Sequence, residues 1–162
     1  MRTPFIAGNW KMNKTASEAA AFVKELKESV KDISDVEIGV FPPALAVVPV
    51  CEALKGSNIT VGTQNLHWED SGAFTGELSA DMIIDAGCEY VLIGHSERRQ
   101  YFGETDETVN RKLKKALAKG LKPIVCVGEN LQQREAGKAE EVVKKQITDG
   151  FAGISEDDAK KI

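Results

Sequence analysis

Apolar residues fall along this chain in two alternating textures. Five short runs, PFIAGN (4–9), VEIGVF (36–41), NITVGT (58–63), EYVLIG (89–94) and LKPIVCVG (121–128), lack the polar alternation of a strand with one wet face. Such runs are the mark of parallel strands covered on both sides. Between them, apolar positions recur at helical spacing. Over 16–31, Ala19, Phe22, Val23, Leu26 and Val30 form one stripe flanked by Lys and Glu. Stretches 43–54, 79–87, 105–119 and 130–149 supply the next four helices. Thr105 is placed to cap the fourth of these, although Thr108 stands where the ideal capping box carries Glu or Gln. Gly120 follows, where a left-handed C-terminal residue is wanted. No Pro/Ser-rich linker, low-complexity tract or close repeat interrupts this order, so residues 1–162 read as one domain of five βα units.

The strand starts, near 4, 36, 58, 89 and 121, are separated by 32, 22, 31 and 32 residues. A (β/α)₈ barrel of typical length spends roughly 31 residues on each unit. A doubly wound open sheet of five strands fits the same count, so spacing leaves both architectures open. Neither GxGxxG after the first strand nor GxxxxGK[ST] anywhere is present, which argues against dinucleotide and P-loop nucleotide binding.

Composition narrows the function classes. The chain has 162 residues, 42% hydrophobic and 28% charged, an ordinary globular balance that excludes disordered and disulfide-scaffold classes. Its net charge of −4 makes nucleic acid or an anionic membrane an unexpected partner. No apolar run approaches the roughly 18 residues of a membrane span, and MRTPFIAGNW has no secretory pattern, so a cytoplasmic location is expected. Cys51, Cys88 and Cys126, with no CxxC and only 2 His, fit a reducing compartment and no metal site. Each thiol reads as a small core side chain, Cys126 within the fifth strand included.

Active sites of parallel α/β folds form at the C-terminal ends of strands. Those segments are loaded here. Lys11, two residues past the first strand, places an ammonium at the mouth of the fold, suited to an anionic, phosphorylated substrate. His95 sits in the turn from the fourth strand to a short helix starting near Ser96, whose positive end disfavours a charged imidazole. Glu97 has two available pairings, with Lys11 or with Arg98 and Arg99. His67 reads as a loop residue, and Phe74 in GAFTGE (72–77) as an exposed aromatic on a turn.

The strings FIAGNWKMN (5–13), FPP (41–43), VGTQNLHWEDSGAFTGE (61–77), YVLIGHSERRQYFGETDE (90–107) and KPIVCVGE (122–129) closely resemble the triose-phosphate isomerase family, in register from Met1 to Ile162. The resemblance implies an α/β fold of (β/α)₈ TIM-barrel lineage, truncated here after the fifth βα unit. It further implies cofactor-free interconversion of dihydroxyacetone phosphate and glyceraldehyde 3-phosphate, serving glycolysis and gluconeogenesis, and a homodimer. By the family pattern Asn9 and Lys11 contact substrate, His95 polarises its carbonyl through an enediolate, and Glu97 supports the site. A neutral histidine in that role is the family's known pattern, so the resemblance carries it. The GAFTGE loop is expected to enter a partner subunit beside Asn13, placing Asn13, Phe74 and Thr75 at the interface. The family's carboxylate base lies on the loop after strand six, followed by a lid and a phosphate nest, all beyond Ile162. The chain alone is therefore expected to be inactive and to need a complementary C-terminal fragment. The alternative is a non-catalytic partial barrel that binds itself or such a fragment. Inward side chains are expected at Ile6, Ile38, Val61, Leu92 and Val125 or their neighbours.

Overall fold

All five apolar runs become parallel strands in the computed structural model, which describes residues 3–162. They are β1 (Phe5–Asn9), β2 (Glu37–Phe41), β3 (Ile59–Thr63), β4 (Tyr90–Ile93) and β5 (Lys122–Val125). Among the described residues they form one sheet in the order β1-β2-β3-β4-β5, with β1 and β5 at its edges. Registers such as Ile6↔Ile38, Ile38↔Ile59, Gly62↔Tyr90 and Leu92↔Ile124 bring all the C-terminal ends to one side.

The two faces of the sheet differ. One is covered by α1 (Ala16–Val30), α2 (Val47–Ala53), α3 (Ala80–Asp85) and α5 (Asp106–Lys119). There Ala19, Val23, Val50, Ile83, Val109 and Leu113 pack with Val40, Val61, Val91 and Ile93. The other face holds a separate cluster of Phe41, Tyr90 and Leu92, joined by Phe5 and Ile124, with no helix residue among them. The rings of Phe5 on β1 and Tyr90 on β4 stack with centroids 4.8 Å apart, although two strands lie between them. Only a curled sheet brings such strands together, so the ambiguity between doubly wound sheet and barrel resolves toward a barrel arc.

Two glycines make the curl possible. A Cβ on Gly39 would lie 2.5 Å from the Phe5 ring, and one on Gly62 2.3 Å from the Phe41 ring. Each absent side chain yields its inner-face place to an aromatic from the preceding strand. The expected inward set is corrected accordingly. Leu92 is inward, but Phe5 and Ile124 take the inner places in preference to Ile6 and Val125, and Ile38 and Val61 face the helices. A shift of one residue exchanges the faces of a strand.

The helices follow their predicted stretches with three adjustments. Pro42 and Pro43 delay α2 behind a 3₁₀ turn at Ala44–Ala46. The 130–149 stretch divides into α6 (Leu131–Glu135) and α7 (Ala139–Gly150) at Gly137, whose φ of 70° belongs to the left-handed region. The capping box at Thr105 closes after all: Thr108 N donates to Thr105 Oγ1 at 3.3 Å, and Thr105 N to Thr108 Oγ1 at 2.9 Å. A hydroxyl does there what the sequence pattern asks of a carboxylate. Between β4 and α5 lies α4 (Ser96–Tyr101), and α8 (Glu156–Ala159) ends the order.

Candidate active site

Asn9 is the last residue of β1, and the chain leaves it through a strained turn. Lys11 has φ of 53°, a conformation that a side chain makes costly by about 1–3 kcal/mol. Hydrogen bonds hold it there. Lys11 N donates to Asn9 Oδ1 at 3.0 Å, and Asn13 Nδ2 donates to Trp10 O at 2.8 Å. Gln64, just past β3, spends both amide hydrogens on this region, donating to Lys11 O at 2.9 Å and Phe41 O at 2.8 Å.

From that turn the Lys11 ammonium reaches Glu97 Oε1 at 2.6 Å, a contact spanning 86 residues of sequence. The pairing alternatives for Glu97 are thereby decided. Arg99 donates to Gly94 O at 2.9 Å and pairs with Asp106 at 2.6 Å, while Arg98 Nε lies 3.6 Å from Glu104. The hydrogen bond from Lys11 holds the Glu97 carboxyl below its ordinary range.

His95 is the N-cap of α4, and its Nδ1 accepts from Glu97 N at 3.2 Å. An accepting Nδ1 carries a lone pair, so the proton of the ring sits on Nε2. The carboxylate of Glu97 also approaches Nδ1, at 3.6 Å, but that is too long for a hydrogen bond. Asn9, Lys11, His95 and Glu97 thus share the C-terminal mouth of the sheet, with a fixed cation and an imidazole N–H donor.

The remaining candidates fall outside this group. Cys126 corrects its reading as a core thiol within the fifth strand: it follows β5, is only half-buried and joins neither hydrophobic cluster, and burial raises its thiol above the ordinary range. Glu129 pairs with Arg134, and a hydrogen bond from its own backbone keeps its carboxyl low. His67 corrects its loop reading in part: it lies in a loop but is buried between Trp68 and Phe74, with centroids 4.1 and 4.3 Å away, and Nε2 has no partner. Phe74 is accordingly 42% exposed, one ring face against His67, while Thr75 is open to solvent.

Two features were not legible in the sequence. Gln64 stood in a loaded strand-end segment, but its role depends on two carbonyls supplied by the turn after β1 and the end of β2. Lys112 and Glu104 form a buried ion pair, with Lys112 also donating to Asn65 Oδ1 at 2.7 Å, tying the loop after β3 to α5. Among the described residues no group of His, Cys, Asp and Glu is arranged to hold a metal ion, and no helix is long and apolar enough to cross a membrane.

Known proteins resemble this chain along its length. The family model for triosephosphate isomerase matches residues 4–162. The triosephosphate isomerase of Carboxydothermus hydrogenoformans is 56% identical over 162 residues, covering 100% of this chain and 64% of its own. That of Endomicrobium trichonymphae is 57% identical over 155 residues, covering 96% and 62% respectively. The crystal structure of triosephosphate isomerase from Bartonella henselae superposes with a TM-score of 0.89 at 36% identity, over 95% of this chain and 64% of that one. The chain therefore spans somewhat under two thirds of the length of these relatives.

Proposed function

The chain belongs to the triosephosphate isomerase family, its five βα units forming an arc of the (β/α)₈ barrel, and from that premise we propose that it supplies the electrophilic and cation-bearing part of an isomerase site. The reaction is the interconversion of dihydroxyacetone phosphate and glyceraldehyde 3-phosphate, in the cytoplasm, within glycolysis and gluconeogenesis. The observation that carries this reading is the meeting of Lys11, Glu97 and His95 at one mouth, with the His95 proton directed to Nε2.

Each residue has a chemical part. Lys11 offers a positive charge to the substrate phosphate and oxygens, and Asn9, which already orients Lys11, contacts substrate beside it. His95 Nε2–H donates to the carbonyl oxygen. As a base removes the proton from the neighbouring carbon, charge grows on that oxygen and the hydrogen bond strengthens. Glu97 holds the lysine in place, neutralising it until the anionic substrate arrives. The sequence needs no redox step and no cofactor.

Neither carboxylate at the mouth suits the base. Glu97 is occupied by Lys11 and Glu129 by Arg134, and both carboxyls are held low, which weakens them as proton acceptors. We assign the base to the part of the barrel that the relatives carry beyond these five units. A second reading, a partial barrel that binds itself or a complementary fragment without catalysis, draws support from the inner face. A cavity of about 570 Å³ opens beside Phe5, Tyr90 and Ile124 and runs to Gly120 and Lys161 at the N-terminal ends of the strands, leaving apolar surface for a complementary segment.

The family's homodimer is part of the proposal. The loop after β3 is clamped at its base by His67 N donating to Leu78 O at 2.8 Å, and leaves Thr75 and the free face of the Phe74 ring open, so that these and Asn13 would meet a partner subunit. The deciding experiment fuses residues 1–162 to the last third of the Carboxydothermus hydrogenoformans relative and assays glyceraldehyde 3-phosphate. Turnover by the fusion and none by the chain alone supports the isomerase reading; a folded, inactive fusion leaves the non-catalytic one.

A further inference from the structure

Cys51 and Cys88 are 37 residues apart in sequence and meet in the fold. Cys51 lies on α2, half-exposed, and Cys88 lies between α3 and β4, 5% exposed. The approach is made by the residue between α3 and Cys88. Gly87 turns the chain with φ of 92°, and a Cβ there would stand 3.5 Å from Cys51 Cβ and 3.6 Å from Cys51 Sγ. The Cys51 side chain thus lies directly against the backbone that carries Cys88. Both sulfurs also belong to the helix-side core, so a bond between them would remain within packed surroundings. We propose that Cys51 and Cys88 are a modification site, closing to a reversible intramolecular disulfide that ties α2 to the turn ahead of β4.

The two thiols are unequal in a way that sets the order of events. Cys51 is half-exposed and Cys88 almost wholly buried, and the closeness of the two thiols holds Cys51 below the ordinary range while that closeness and burial hold Cys88 above it. Cys51 is therefore the attacking sulfur and Cys88 the resolving one. With a small-molecule disulfide as oxidant, the Cys51 thiolate attacks one of its sulfurs and releases the other half as a thiolate. Cys88 then loses its proton to that thiolate or to water and attacks Cys51 Sγ, expelling the second half. Two protein thiols are oxidised by two electrons in all, and one small disulfide is reduced to two thiols. Cys126 takes no part, since it lies beyond β5 beside Arg99 and Glu104 and outside the cluster that holds the other two thiols.

The test uses the completed barrel, residues 1–162 fused to the last third of the Carboxydothermus hydrogenoformans relative, with glutathione disulfide as the probe, followed by alkylation and tryptic digestion without reduction. The expected product is lighter than the reduced fusion by two hydrogens and yields one cross-linked pair, residues 32–55 joined to 56–98, with Cys126 alkylated. Under native alkylation of the reduced fusion, Cys51 should react about tenfold or more faster than Cys88. Cys88→Ser should halt the reaction at glutathione on Cys51, and Cys51→Ser should leave Cys88 unmodified. Glutathione retained on Cys51 in the unaltered fusion, or a cross-link formed only in denaturant, would overturn the proposal. The alkylation rates keep it testable if a serine variant does not fold.

Discussion

β4 and β1 deliver His95 and Lys11 to the same mouth by different means. Every residue of β4 is buried, and its exit is held at two backbone carbonyls: Cys126 N donates to Ile93 O at 2.8 Å, and the Arg99 side chain donates through Nε to Gly94 O at 2.9 Å. β1 is an edge strand on which Ile6 is 61% exposed, and the turn that follows depends on the amides of Asn9, Asn13 and Gln64. The imidazole rests on a fully buried strand as well as on hydrogen bonds, whereas the turn that carries the ammonium leaves an exposed edge and relies on its side-chain amides. Central and edge runs look equally apolar in sequence, so the composition of β1 belongs to a strand with a neighbour on each side.

The most severe way to break this comparison is to study the chain with its edges uncovered. Each large apolar side chain left in water forfeits about 1.5–3 kcal/mol, against a domain stability of about 5–15 kcal/mol. The chain alone should behave as a dye-binding oligomer, and with the complementary third as a cooperatively melting species. A sharp thermal transition from a monomeric, dye-free chain would show that β1 needs no second neighbour.

Within the completed barrel, His95→Gln should lower kcat by about 10²–10³ and leave KM nearly unchanged, because its hydrogen bond gains strength as the oxyanion forms. An effect on KM alone would contradict the role assigned to the β4 exit. Lys11→Ala should raise KM by roughly tenfold to a hundredfold, the worth of a charged hydrogen bond. An unchanged KM would mean that the braced edge turn holds no substrate contact.

Smaller effects probe what supports the edge. Thr75→Glu should shift the assembled protein toward monomers by light scattering at micromolar concentration, through a charge placed on the loop expected in the partner. Unaltered mass would remove that loop from the interface. The last prediction concerns acid. Because Lys11 holds the Glu97 carboxyl below its free value, the pair contributes fully above the ordinary carboxylate range and is lost as pH falls through the lowered value. A carboxyl titration followed by NMR should place Glu97 below the exposed glutamates, and Lys11→Ala should return it to them.

Much of this was readable beforehand, and what was not has a common cause. All five strands, the cap at Thr105 and the strand-end positions of Asn9, Lys11 and His95 follow from local pattern. Whether the sheet was barrel or doubly wound turned on Phe5 meeting Tyr90 across two intervening strands, a contact no spacing reveals. The partner of Glu97 lay 86 residues away with two arginines adjacent as rivals. Lys112 falls on the apolar stripe of Val109, Leu113 and Ala116, but its partners Glu104 and Asn65 lie outside the helix, and no local pattern names them. His67 likewise owes its burial to Phe74 folding back from the tip of its own loop.

The strand order also bears on how the molecule comes into being. Every ladder in the sheet joins strands that are consecutive along the chain. A polypeptide emerging from the ribosome, N-terminal end first, can therefore add each βα unit to a finished neighbour with no earlier pairing undone. Growth of the sheet follows the direction of translation. Until a successor arrives, the newest strand is the exposed tip of that growth, the place where a chaperone would have the most to shield.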